Sequence, residues 1–432
     1  MKWSINSYLA NESEGLISLL ELTAAQKTYL RSLKDASRLR TREVFKEAKD
    51  IIRSAGFGTV DVNTLRSSIK QGELRFLSDD EQISILNLMI EMTDIQRKAF
   101  LSTSPRFWVQ GSFTYNTLNQ PYSKPPQQMD IDDGTYMPMD MFEDQPRLGH
   151  KLLMLLVDAS VKSLANELGG IADTNKTTCS RLIIKDKDVH LDVPMYAIPL
   201  AEFEKREVAM NKSAGTFDSV TANEALFESK SINLDPDSVY LAIRGAEMWK
   251  KSDPKSVADW FNASVKRHGV VLRDICRYLK AWRDVQWDSN GPSSICLMKC
   301  VVDSFDSTIM PDSGDRGDYL WRVVNNLPNQ LQASVESPDL LDRESGHKLF
   351  PQKSMGEADC QDVIDKASEL KDLLAEALDA NTIKESFSLL EKLFGKRVIN
   401  QSLIKSVAVG QAYVKDPAIN EKKQLQSDMR SG

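Results

Sequence analysis

The tetrapeptide Met129-Asp130-Ile131-Asp132 constrains this chain more than any other stretch. A strand alternates its side chains, so if residues 129–132 are extended, both carboxylates share one face and Ile131 takes the other. Further on, Val189-His190-Leu191-Asp192-Val193 has strand character and supplies a third aspartate, expected on the face opposite His190. Three carboxylates from neighbouring strands can hold two divalent cations. Such a pair activates a hydroxyl and neutralises a departing pyrophosphate. Asp130, Asp132 and Asp192 are therefore expected to be catalytic metal ligands, with two Mg²⁺ ions (or Mn²⁺) as cofactor, in a nucleotidyltransferase.

The order of the other parts agrees with this. Gln110-Gly111-Ser112-Phe113 precedes the first pair: its glycine permits close backbone approach to a phosphate, and Ser112 adds a hydroxyl donor. Magnesium takes hard oxygen ligands and completes its shell with water and phosphate oxygens, which suits three carboxylates and a triphosphate. With four histidines in the chain and none an obvious base, metal activation is the economical route.

A length of 432 residues allows two or three domains, and 41 % apolar with 27 % charged residues is ordinary for a globular protein. A net charge of −7 disfavours a long nucleic acid as partner and favours small phosphorylated substrates held by a few cations. Five cysteines without a CxxC pair argue for reduced thiols and against zinc. Residues 1–7 contain no apolar run of signal-peptide length, and the cluster at 152–157 is too short to span a bilayer, so a cytoplasmic location away from membranes is expected.

Along the chain, Thr23 can cap a long helix running to about Gly56, on which Lys34, Arg38 and Arg42 share one face. That face is either solvated or an anion pocket. Ser78-Asp79-Asp80-Glu81 matches a capping box opening a helix to about Leu101. Residues 149–168 read as a buried helix stopped by Gly169-Gly170, and residues 181–198 as two strand arms around a polar turn. After about 235 the composition changes: Asp253-Pro254 opens a helical region through Trp287, residues 292–294 another helix, and 358–395 two more. The expected organisation is α+β: residues 1–235 form a nucleotidyltransferase core, 236–413 a helical nucleotide-binding lobe, and 414–432 a mobile tail.

The segments GSFTYNTLNQP (111–121), MDIDDGTYMPM (129–139), HLDVPMYAIP (190–199), YLKAWRDVQW (278–287) and GPSS (291–294) resemble the bacterial cGAS/DncV-like nucleotidyltransferases, and among them the DncV-type cyclic GMP-AMP synthases. The resemblance implies a polymerase-β-like core with a mixed sheet and a mostly helical second lobe, with ATP and GTP bound between them. It implies synthesis of a cyclic dinucleotide, 3′,3′-cyclic GMP-AMP above others, in antiphage signalling by a monomer. A linear oligonucleotide or a tailed RNA is the alternative product. Gln110, Gly111, Ser112, Phe113, Thr114 and Tyr115 would form the donor-nucleotide turn, with Tyr115 able to stack on a base. Arg181 would meet one nucleotide, and Lys280, Ser294 and Asp342 the other. Lys34, Arg38, Arg42, Arg106 and Trp108 match the basic and aromatic positions of an inhibitory folate-like pocket on the far face, with lysine replacing an arginine at the first. That exchange removes bidentate recognition of a carboxylate. Gly432 matches the terminal glycine through which E1/E2-like enzymes conjugate related synthases.

Overall fold

The computed structural model describes residues 2–55, 62–69, 71–138, 146–199, 239–245, 248–252, 254–289, 291–310 and 314–407. Gly432, the expected tail, Gly56, Asp253 and the expected boundary at 235 lie outside them. In chain order the first elements are β1 (Trp3–Ser4), α1 (Asn6–Ala10), α2 (Leu16–Leu20), α3 (Ala24–Ala55), α4 (Val62–Ile69), α5 (Asp79–Glu91), α6 (Asp94–Ser102), β2 (Arg106–Gln110), α7 (Gly111–Thr114), β3 (Met129–Pro138) and α8 (Pro146–Leu168). Then come β4 (Ile171–Asp173), β5 (Cys179–Ile184), β6 (Val189–Ile198), β7 (Tyr240–Ile243) and β8 (Met248–Lys251). The remaining helices are α9 (Pro254–His268), α10 (Val271–Gln286), α11 (Ser294–Ser307), α12 (Arg316–Ala333), α13 (Leu340–Glu344), α14 (Glu357–Asp379) and α15 (Ile383–Phe394).

Local chemistry sets most of these boundaries. Thr23 and Gln26 bond reciprocally at the start of α3, at 3.2 and 2.8 Å. Ser78 and Glu81 form the expected box on α5. The helix expected to run to Leu101 instead breaks after Glu91, because Thr93-Asp94-Ile95-Gln96 makes a second capping box that opens α6. Gly269, at φ +85°, separates α9 from α10 within the region read as continuous.

The central sheet runs β2-β3-β6-β5-β4, with β7 added to the upper end of β6 and β8 beside β7. Among the described strands of this sheet only β3 and β6 pair in parallel, so the sheet is mixed. Residues 240–243 and 248–251 thus extend the sheet, although 236–413 was expected to form the helical lobe. Beneath the sheet, Ile131, Leu191, Val193 and Met195 pack with the apolar faces of α3 and α8 in one core. Helix α8 is buried nearly all round, which is why its sequence reads as continuously apolar.

A second core fills the helical lobe around Trp282, Tyr278, Phe261 and Phe394. It also takes in Ile5, Tyr8, Leu9, Leu16 and Leu20, and β1 pairs with residues 405–406. The first twenty or so residues therefore pack with the C-terminal lobe and not, as the 1–235 division implied, with the sheet. The reason is apolar burial: each such side chain contributes about 1.5–3 kcal/mol on leaving water, and the surface that accepts them belongs to α10 and α12. Among the described residues no helix is long and apolar enough to cross a membrane.

Candidate active site

Parallel register puts Asp132 directly beside Asp192, and Asp130 beside His190. Asp130 and Asp132 share a face as expected. His190 and Asp192 also share it, since residues two apart on a strand point the same way; the expectation that they oppose each other was wrong. Across the other edge of β3, Gln110 pairs with Asp132, and Arg181 on β5 pairs with Asp192. Four strands thus bring Gln110, Asp132, Asp192 and Arg181 side by side across the sheet.

The carboxylates are held differently. Arg181 grips Asp192 with a fork, Nε to Oδ1 at 2.5 Å and Nη2 to Oδ2 at 2.6 Å. Nδ1 of His190 lies 3.2 Å from Oδ1 of Asp130. Asp132 is pushed up to about 7, by burial first and then by Asp192 and Asp130, with Arg181 pulling the other way. The triad supplies the hard donors a divalent cation requires, on adjacent strands, and its mutual repulsion is what a cation relieves. The residues fit such a group in type and placement. Their side chains do not converge as they stand: among the described residues no group of three acidic, histidine or cysteine side chains is arranged to hold a metal, and Arg181 occupies both oxygens of Asp192.

A cleft of about 270 Å³ opens beside this patch, with Arg181 on its wall. Ser112, Asp130, Arg181 and His190 line its sheet side, and Lys280, Arg283 and Ser294 its helical side. Lys280 is buried and donates to the Thr117 carbonyl at 2.6 Å. Burial foremost, with Arg283 adding and Asp284 opposing, pushes its ammonium down to about 7. Ser294 accepts from Arg283 Nη1 at 2.9 Å, while Ser293 caps α11.

Other sequence candidates fall elsewhere. The side chain of Gln110 turns away along the sheet, donating to the Tyr136 hydroxyl at 2.9 Å and accepting from that of Tyr196 at 3.1 Å. Phe113 lines a separate cavity with Lys27, Arg31 and Arg277, and Thr114 is exposed. Tyr115 is buried against Phe261, with ring centroids 5.7 Å apart, so its ring is core packing and not a free stacking platform. Asp342 does not line the cleft: it accepts from Ser337 and pairs with Lys250 at 3.7 Å.

The five residues expected together on the far face divide. Arg38 is buried in a fork on Asp133, at 2.7 and 2.6 Å, on the side of β3 opposite Asp132. Arg38 and Arg42 lie over the ring of Phe107, a residue the sequence reading passed over. Burial, then Arg38 and Arg106, push Arg42 down to about 10. Lys34 pairs with Asp35 at 3.4 Å. Trp108 alternates to the other face of β2 and packs beside Tyr136.

Two carboxylates on one strand, a third in register on its parallel neighbour and a helical lobe walling the cleft define a nucleotidyltransferase. The family model described as the nucleotidyltransferase domain of DncV-like cyclic GMP-AMP synthases matches residues 105–196, and that of the cyclic GMP-AMP synthase C-terminal domain matches 269–407. The cyclic GMP-AMP synthase of Vibrio cholerae is 41 % identical over the full length of both chains, as is one from Escherichia coli. The crystal structure of the Vibrio cholerae enzyme with the linear intermediate 5′ pppA(3′,5′)pG superposes with a TM-score of 0.84 at 40 % identity, covering 94 % of this chain and 99 % of that one. A mutant of that enzyme with ATP, GTP and 5MTHFGLU2 also gives 0.84 at 41 % identity, with the same coverage. The chain belongs to the DncV-like cyclic GMP-AMP synthase family and is a nucleotidyltransferase of the cyclic dinucleotide synthase type.

Proposed function

We propose that this chain joins ATP and GTP through two successive 3′–5′ links, releasing pyrophosphate and giving 3′,3′-cyclic GMP-AMP as a cytoplasmic second messenger in antiphage defence. The observation that carries the reading is the parallel register of Asp132 with Asp192, next to a cleft that Asp130 and Arg181 line from the sheet and Lys280 from the helical lobe. Relatives crystallised with ATP, GTP and a linear intermediate support the substrates.

Asp130, Asp132 and Asp192 would hold two Mg²⁺ ions, which when bound lower the pKa of the attacking hydroxyl and balance charge on pyrophosphate. Arg181 would exchange Asp192 for a phosphate, since its planar fork suits either anion. Lys280 would meet the second nucleotide from the helical side. One cleft serves both bonds if the linear intermediate turns round and presents its remaining triphosphate to the same carboxylates. A folate-like inhibitor would find a weaker site on the far face, because Arg38 is already committed to Asp133 and position 34 carries lysine.

Incubation with ATP, GTP and Mg²⁺, each nucleotide radiolabelled in turn, tests this. A phosphatase-resistant product carrying both labels is expected. A product that loses terminal phosphate, or label added to RNA, would instead identify an enzyme making linear chains.

A further inference from the structure

His190 takes no part in the function proposed above, yet it is the cross-strand neighbour of Asp130. Its Nδ1 faces Asp130 Oδ1 at 3.2 Å, and both residues line the cleft. The two differ in freedom. The His190 side chain is 16 % exposed, whereas that of Asp130 is 53 % exposed. A half-exposed carboxylate rotates unless something holds one oxygen. A ring N–H does so and leaves the second oxygen open, unlike the Arg181 fork, which takes both oxygens of Asp192. Donors of this kind behind metal ligands typically change cation affinity about 10–100-fold when removed.

We propose that His190 is a positioning residue for Asp130: its Nδ1–H holds Oδ1, so that Oδ2 is presented to a divalent cation. The inference rests on the nucleotidyltransferase reading, in which Asp130 is a cation ligand. It needs only the Nδ1–H tautomer, which the Asp130 carboxylate itself favours.

Two substitutions separate positioning from packing. His190→Asn keeps an N–H donor at the place of Nδ1, while His190→Leu keeps bulk and removes the donor. Mn²⁺ uptake by the nucleotide-free protein, read from loss of the free-ion EPR signal, is expected to weaken about tenfold in the leucine variant and to stay near wild type in the asparagine variant. The Mg²⁺ concentration for half-maximal synthesis should rise in parallel, with nucleotide KM at saturating Mg²⁺ unchanged. Equal Mn²⁺ uptake by wild type and both variants, including none by any of them, overturns the proposal. Asp130→Ala serves as the control. If it leaves synthesis intact, the reading of the site is wrong; if it abolishes synthesis while His190→Leu changes nothing, only the role of His190 is wrong.

Discussion

A side chain on Gly111 would begin 2.1 Å from Oδ2 of Asp132. Gly111 also sits at φ +69°, where any other residue is strained. The Gly-Ser turn and the Asp132 carboxylate therefore occupy one another's space, and the glycine is required before any nucleotide arrives. Gly111→Ala should displace Asp132 or the turn, cutting synthesis at least 100-fold while far-ultraviolet circular dichroism stays unchanged. Near-wild-type turnover would show that the turn has room to move.

Replacing Asp130 and Asp132 with alanine together should abolish product without lowering the melting temperature, because these side chains repel one another and hold no core together. A large drop in melting temperature would mean that structural residues had been taken for catalytic ones.

Asp132 also gives the cation-free protein a pH dependence. Its folded value of about 7 lies above its ordinary 3.8, so the native state binds the proton more tightly. Stability is fully present below about pH 4 and is lost as pH rises through about 7. Asp132→Asn removes this slope. Thermal melts in EDTA at pH 5 and pH 8 should show the variant gaining on wild type at the higher pH, and parallel melts would contradict it.

Lys280 predicts a proton uptake. With its ammonium lowered to about 7, it is mostly neutral in the free protein at pH 8. A triphosphate in the cleft favours the charged form and raises that value. Calorimetric titration of a non-reacting GTP analogue at pH 8, in buffers of different ionisation enthalpy, should reveal uptake that Lys280→Met abolishes.

The Arg38–Asp133 pair is buried at both ends. Removing one partner takes the fork away from a buried charge, so Arg38→Met should cost about 3–5 kcal/mol in denaturant unfolding. Adding Asp133→Leu should restore most of it. If the double variant is no better than the single, the pair is not the reason Arg38 is held.

Much of the sheet and its chemistry was legible. Alternation placed Asp130 and Asp132 on one face, and the capping signals at Thr23 and Ser78 opened the helices they preceded. The break at Thr93 was missed although its capping box was present, because the apolar pattern continues across it. His190 was missed through a misjudged face. Phe107 was passed over because nothing in a strand sequence says which helix will cover it.

The amino-acid sequence by itself determined the elements and the acidic triad, since strand alternation and helix caps are decided by neighbours a few residues apart. Only the tertiary structure decided who holds each charge: Arg181 on Asp192, His190 beside Asp130, Arg38 on Asp133, and the first twenty residues in the far lobe. Those pairings join residues distant along the chain. They depend on which strands lie side by side and which apolar surfaces are left to cover, and no local pattern encodes either.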